Sequence, residues 1–105
     1  MTMANGEKKM ETVEKKPYLA RVVNVASSAS SVQLLSAKST RAHFSIFNDS
    51  TAVLCVKFGG PASSTSYTVK VIAGAYFESP YPCYQGEVHG IWATANGYAR
   101  ITEVS

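Results

Sequence analysis

The sequence predicts an all-β domain, a small antiparallel β-sandwich or jelly-roll-like barrel, with an extended N-terminal arm. Three observations predict it. From residue 31 onward, apolar residues alternate with polar ones over short runs, the period of half-buried strands. Those runs are separated by Gly, Pro, Asn-Asp and Asn-Gly punctuation. No helical period occurs beyond the first residues. The chain of 105 residues then divides into an arm (1–26), a Ser/Ala linker (27–31) and a β-domain (32–105).

The opening "MTMANGEKKMETVEKKP" is rich in charge, poor in apolar residues and closed by Pro17. Such a stretch cannot bury enough surface to order itself, so order in it requires a partner. Met3, Met10 and Val13 stand at spacings that one helix face can share, a weak pattern of three residues. "YLARVVNV" has the composition of a strand, and "ASSASS" that of a flexible connection.

The β-domain reads in order. "SVQLLSA" is a short strand. "RAHFSIFND" places Ala42, Phe44 and Ile46 on one face and His43, Ser45 and Phe47 on the other. "AVLCVKFG" sets Leu54, Val56 and Phe58 against Val53, Cys55 and Lys57. The link "NDST" is turn chemistry, so "FNDSTAVLCVKFGG" predicts a hairpin with Cys55 packed as a small hydrophobe. "SYTVKVIA" alternates Tyr67, Val69 and Val71 against Thr68, Lys70 and Ile72, and Gly74 precedes the short run "AYFES". "PYPCYQG" is a proline-bounded loop. "EVHGIWAT" and "YARITEV" meet through Asn96-Gly97, a second hairpin signal. About seven short strands result, at sandwich spacing.

Composition excludes several functions. The net charge of +3 is modest, and Lys8, Lys9, Lys15 and Lys16 alternate with Glu7, Glu11 and Glu14. Arg21, Lys38, Arg41, Lys57, Lys70 and Arg100 are scattered, so no basic stripe marks a nucleic-acid surface. No stretch is long and apolar enough to span a bilayer, and no secretory signal opens the sequence, which predicts a soluble intracellular product. Cys55 and Cys83 are then expected to be reduced and structural. His43 and His89 lack neighbouring acids or cysteines at metal-ligand spacing. The acids Asp49, Glu78, Glu87 and Glu103 are isolated, and no G-x-S-x-G elbow or phosphate-cradling glycine loop occurs. The expectation is a non-enzyme without cofactor or metal.

Binding is the better use of what remains. Tyr76, Phe77, Tyr81 and Tyr84, framed by Pro80 and Pro82, suit a stiff contact loop or, equally, a plug that closes the open end of a sandwich. Trp92, mid-strand between small neighbours, is expected in the core. The candidate partner-binding residues are Lys8, Lys9, Met10, Val13, Lys15 and Lys16 of the arm, with Tyr18, Tyr76, Tyr81 and Tyr84.

"FNDSTAVLCVKFGG", "SYTVKVIAGAYFESP" and "GIWATANGYARITEV" resemble segments of small all-β proteins encoded by tailed bacteriophages, over roughly three quarters of the chain. In that group they serve as virion components, among them decoration or cement proteins on capsids. The resemblance implies a virion location and a major capsid protein or other virion protein as partner. It also implies a homo-oligomer, with a trimer favoured; the charged arm falls outside the resemblance, and its reach fits it, with the loops, to grip the shell. Two other functions compete: a neck, tail or fibre-attachment adaptor of the virion, and a carbohydrate-binding sandwich with Trp92 and the tyrosines as its platform. The second requires an exposed indole.

Overall fold

The computed structural model describes residues 17–105, and the arm candidates Lys8, Lys9, Met10, Val13, Lys15 and Lys16 lie outside the described residues. Eight strands follow one another: β1 (Ala20–Ala26), β2 (Val32–Leu35), β3 (His43–Asp49), β4 (Leu54–Phe58), β5 (Val69–Val71), β6 (Tyr76–Glu78), β7 (Val88–Trp92) and β8 (Tyr98–Val104). They form two four-stranded sheets, in the orders β1-β8-β3-β6 and β2-β7-β4-β5. Every pairing in the ladders is antiparallel. The fold is an all-β sandwich, as the alternation predicts.

The alternation places the core. Phe44 and Ile46 of β3, Ala99 and Ile101 of β8, Leu54 and Val56 of β4, and Val88 and Trp92 of β7 are buried between the sheets. Each such large apolar side chain contributes about 1.5–3 kcal/mol on burial. Gly90, between Val88 and Trp92 on β7, keeps the layer thin: a Cβ there would stand 2.9 Å from Leu34 Cδ1 and 3.0 Å from Leu54 Cδ1.

Connectivity departs from the sequence expectation in three places. "FNDSTAVLCVKFGG" is not a hairpin, because β3 and β4 lie in different sheets. The cause is Asn48, which is fully buried and turns its side chain across the gap. Its Nδ2 donates to Ala52 O and Val71 O, both at 2.8 Å, while its Oδ1 accepts from Trp92 Nε1 at 3.1 Å and Ser50 Oγ at 2.7 Å. Its backbone N–H donates to Ala75 O, and its carbonyl accepts from Gly74 N. A residue spent on the opposite sheet cannot close a two-stranded turn.

Asn96-Gly97 likewise joins β7 and β8 across the sheets. Gly97 is not at positive φ, which the tight hairpin turn requires. It is small because the loop after β3 presses on it: a Cβ there would collide with Asp49 O and with Ser50. Asn96 then exchanges hydrogen bonds with Thr51.

The third departure moves a boundary. Ala20–Ala26, assigned to the arm by sequence, is β1, in unbroken register with β8 from Ala20↔Val104 to Ala26↔Tyr98. Val23 and Val25 of β1 pack on the core, which is why the segment joins the sheet. Residues 27–31 are therefore not a loose hinge but the crossover from β1 to β2. Gly97 N donates to Ser27 Oγ at 2.7 Å, and Trp92 N to Ser28 O at 2.9 Å.

Candidate interaction site

The ladders sort the connections into two ends. At one end lie the residues entering β1 (17–19), the β2–β3 connection (36–42), the β4–β5 connection (59–68), the β6–β7 connection (79–87) and Ser105. The other end holds the shorter crossovers 27–31, 50–53, 72–75 and 93–97. The segment that precedes the domain thus enters at the end that also carries the proline-bounded tyrosine loop.

That end is organised by a buried cation. Arg41, 1 % exposed, donates through Nε to Glu103 Oε2 at 2.8 Å, and through Nη1 to Tyr84 O at 2.8 Å and Gly86 O at 3.0 Å. Its Nη2 donates to Ser36 O. Gln85 Nε2 returns a bond to Arg41 O at 3.0 Å. One guanidinium therefore ties the 36–42 and 79–87 connections to β8. The planar five-donor fork is what makes this set possible, and an ammonium could not serve it. Glu103, itself 2 % exposed, also accepts from Arg21 Nη2 at 2.7 Å. Burial pushes the Glu103 carboxyl up, but the bonds from Arg41 and Arg21 outweigh it and hold the group below the ordinary glutamate range.

Sequence reasoning missed this pair, although half of it left a sign. Glu103 continues the inward row Ala99, Ile101, and Arg21 continues the row Val23, Val25, so both charges stand at inner positions of their strands. Arg41 lies outside any strand and gave no such sign.

The four described tyrosine candidates separate. Tyr18 and Tyr81 line one surface groove of about 450 Å³ with Thr40, Arg41, Ala42, Pro82, Cys83 and Gln85. A second groove of about 430 Å³, lined by Pro17, Tyr18, Leu19, Thr40 and Ser105, adjoins it through Tyr18 and Thr40. Tyr81 is 97 % exposed, and Tyr18 and Leu19 are about seven-tenths exposed. Such rings standing in water offer large apolar faces with polar ends. Tyr84 turns inward and stacks on Phe58, with centroids 4.8 Å apart and planes within 10°. Phe58 in turn meets Phe44 and Phe77 edge-on, so these rings plug the end of the sandwich. The plug reading of the aromatic loop applies to Tyr84, while Tyr81 stands in water. Tyr76 lies elsewhere, beside Phe47 on the outer face of the first sheet. Its hydroxyl donates to Glu78 Oε2 at 2.7 Å, which raises the phenol pKa.

His43 meets Glu78 at 3.3 Å and His89 meets Glu87 at 2.9 Å, one acid each. Among the described residues no group of three His, Cys, Asp or Glu side chains converges on a point where a metal would sit. Cys55 is buried, Cys83 half-buried, and they are not joined. Trp92 is 2 % exposed with its N–H committed to Asn48, which removes the platform that sugar stacking requires. No described helix is long and apolar enough to cross a membrane. No family model matches the chain, and neither curated proteins nor solved structures yield a match.

Proposed function

We propose that the domain is an eight-stranded jelly roll serving, without catalysis, as a structural protein of a tailed-bacteriophage virion, most specifically a capsid decoration or cement protein. It is made in the host cytoplasm and acts on the virion. Its partner is the major capsid protein or another virion protein.

Three features support the reading. The strand orders β1-β8-β3-β6 and β2-β7-β4-β5 agree with two interlocked Greek keys, an arrangement used by capsid and lectin domains. The lectin use is disfavoured by the buried indole. The resemblance of the strand and turn segments to phage virion proteins points the same way.

The observation that carries the attachment mechanism is the meeting of Tyr18 and Tyr81 in one groove beside Pro17, where residues 1–16 join the domain. Those sixteen residues reach roughly 50 Å when extended, enough to cross onto a neighbouring subunit. The tyrosines supply rigid contact area at the root of that reach. Binding only the assembled shell adds free energy to that state alone, and repetition over a particle makes weak contacts sufficient.

The test is sedimentation of the purified protein with mature empty shells that lack it, from the phage whose genome carries the sequence. Hundreds of bound copies per particle and a raised shell melting temperature are expected. A dozen copies or fewer would relocate the protein to a vertex, neck or tail, and no binding would overturn the reading. Removal of residues 1–16, which leaves β1 whole, is expected to abolish or strongly weaken binding.

A further inference from the structure

Sheet edges are sites of association, because their outer N–H and C=O groups lack ladder partners. This sandwich has four. β5 and β6 are three residues long, and β2 has four residues with a shift of register against β7. Short strands and bulges are the usual ways to blunt an edge. β1 has neither. It runs for seven residues, contains no proline and keeps one register throughout.

The hydrogen bonds fix which groups face outward. Leu19 and Ser105 exchange both backbone bonds, and Ser27 N donates to Gly97 O, so odd-numbered residues of β1 bond to β8. Ala20, Val22, Asn24 and Ala26 therefore present N–H and C=O away from the sheet, and among the described residues nothing pairs with them. Their side chains are exposed, Val22 at 64 %. The one charge on β1, Arg21, is bound to Glu103 and gives the edge no protective lysine-like repulsion.

We infer that β1 is the seat of a symmetric dimer, in which β1 of a second copy adds antiparallel to it about a two-fold axis through Val23. In that register Val22 pairs with Asn24 of the second copy, and Ala20 with Ala26, so all the outward groups of both strands are satisfied. The second copy is favoured over a foreign strand because the edge is self-complementary in charge and size. Arg21 falls opposite Val25, the two arginines stand about 14 Å apart along the ladder, and only small residues meet elsewhere. Val23 and Val25, left half-buried at the rim of the sandwich, gain cover from the same residues of the second copy. A two-fold pair replaces the threefold assembly expected from the resemblance, and it does not depend on the virion reading.

The test is sedimentation equilibrium of the full chain across the micromolar range, with three substitutions and a deletion of residues 1–16. The wild type is expected to dimerise. Val22→Pro removes an N–H that has no role in β1·β8, so it should yield folded monomers whose melting temperature no longer depends on protein concentration. Val23→Cys, in a background with Cys55 and Cys83 replaced by Ser, should form an intermolecular disulfide on oxidation, since facing Cα atoms at a non-hydrogen-bonded pair lie about 4.5 Å apart. Val25→Cys in that background should not. A monomeric wild type, an oligomer indifferent to Val22→Pro, or cross-linking at Val25 rather than Val23 would each overturn the inference. So would loss of the dimer on removing residues 1–16, which would make the arm its cause.

Discussion

The two ends of the sandwich are each held by one buried polar residue, and they hold it differently. At the crossover end, Asn48 satisfies all its side-chain donors and acceptors with neutral groups, and short loops, of Ser, Thr, Ala, Gly and Asn apart from Val53 and Ile72, close over it. At the arm-root end, Arg41 is matched by a carboxylate and several carbonyls, and the loops it ties stand proud with Tyr81 at their tip. The first arrangement seals the domain. The second fixes a surface whose exposed rings add little to the domain's own stability. Tyr81 and Tyr18 stand further into water than Tyr76 and Tyr98, which begin their strands at the crossover end, and a domain of this size has little stability to spare for rings that no contact covers.

Breaking the sealed end should cost most. Asn48→Ala strands the Trp92 N–H in the core and takes one donor each from the carbonyls of Ala52 and Val71, and should destabilise by about 3–5 kcal/mol in urea unfolding, with no dependence on acid pH. Arg41→Met should cost about 2–4 kcal/mol, less than loss of a lone buried pair because Arg21 still faces Glu103.

Acid distinguishes the two ends. Glu103 gives up its proton more readily folded than unfolded, so the unfolded chain binds more protons in acid. Its stabilisation is complete above about pH 4.3 and fades as the pH falls through the lower folded value. Glu103→Gln should flatten that acid slope, measured as melting temperature against pH, whereas Asn48→Ala should leave it unchanged. Among the aromatics, Tyr84→Ala should cost about 1–2 kcal/mol through the lost stack on Phe58. Tyr81→Ala should stay within about 0.5 kcal/mol of wild type.

The strands were legible because alternation survives whatever the connectivity: Phe44, Ile46 and Asn48 share a face, as do Leu54 and Val56. The partners of those strands were not. Turn chemistry at 48–51 and 96–97 is local and says only that the chain reverses. Whether it returns to the same sheet is decided by where Asn48 reaches and by how closely Gly97 lets the two loops approach. The site was half legible. Tyrosine between prolines announced either a contact loop or a plug, and the division between Tyr81 outside and Tyr84 inside depends on Phe58, which lies on a strand far earlier in the chain. Arg41 was invisible, since a charge becomes a hub only when distant carbonyls converge on it.

The most direct test of the arm-root end as the attachment surface is shell binding by the Tyr18→Ala/Tyr81→Ala double variant, measured as copies bound against free concentration. The account predicts at least a tenfold weaker affinity with the domain's melting temperature unchanged. Binding equal to wild type, or binding lost instead when Thr51 and Asn96 at the opposite end are replaced, would contradict it.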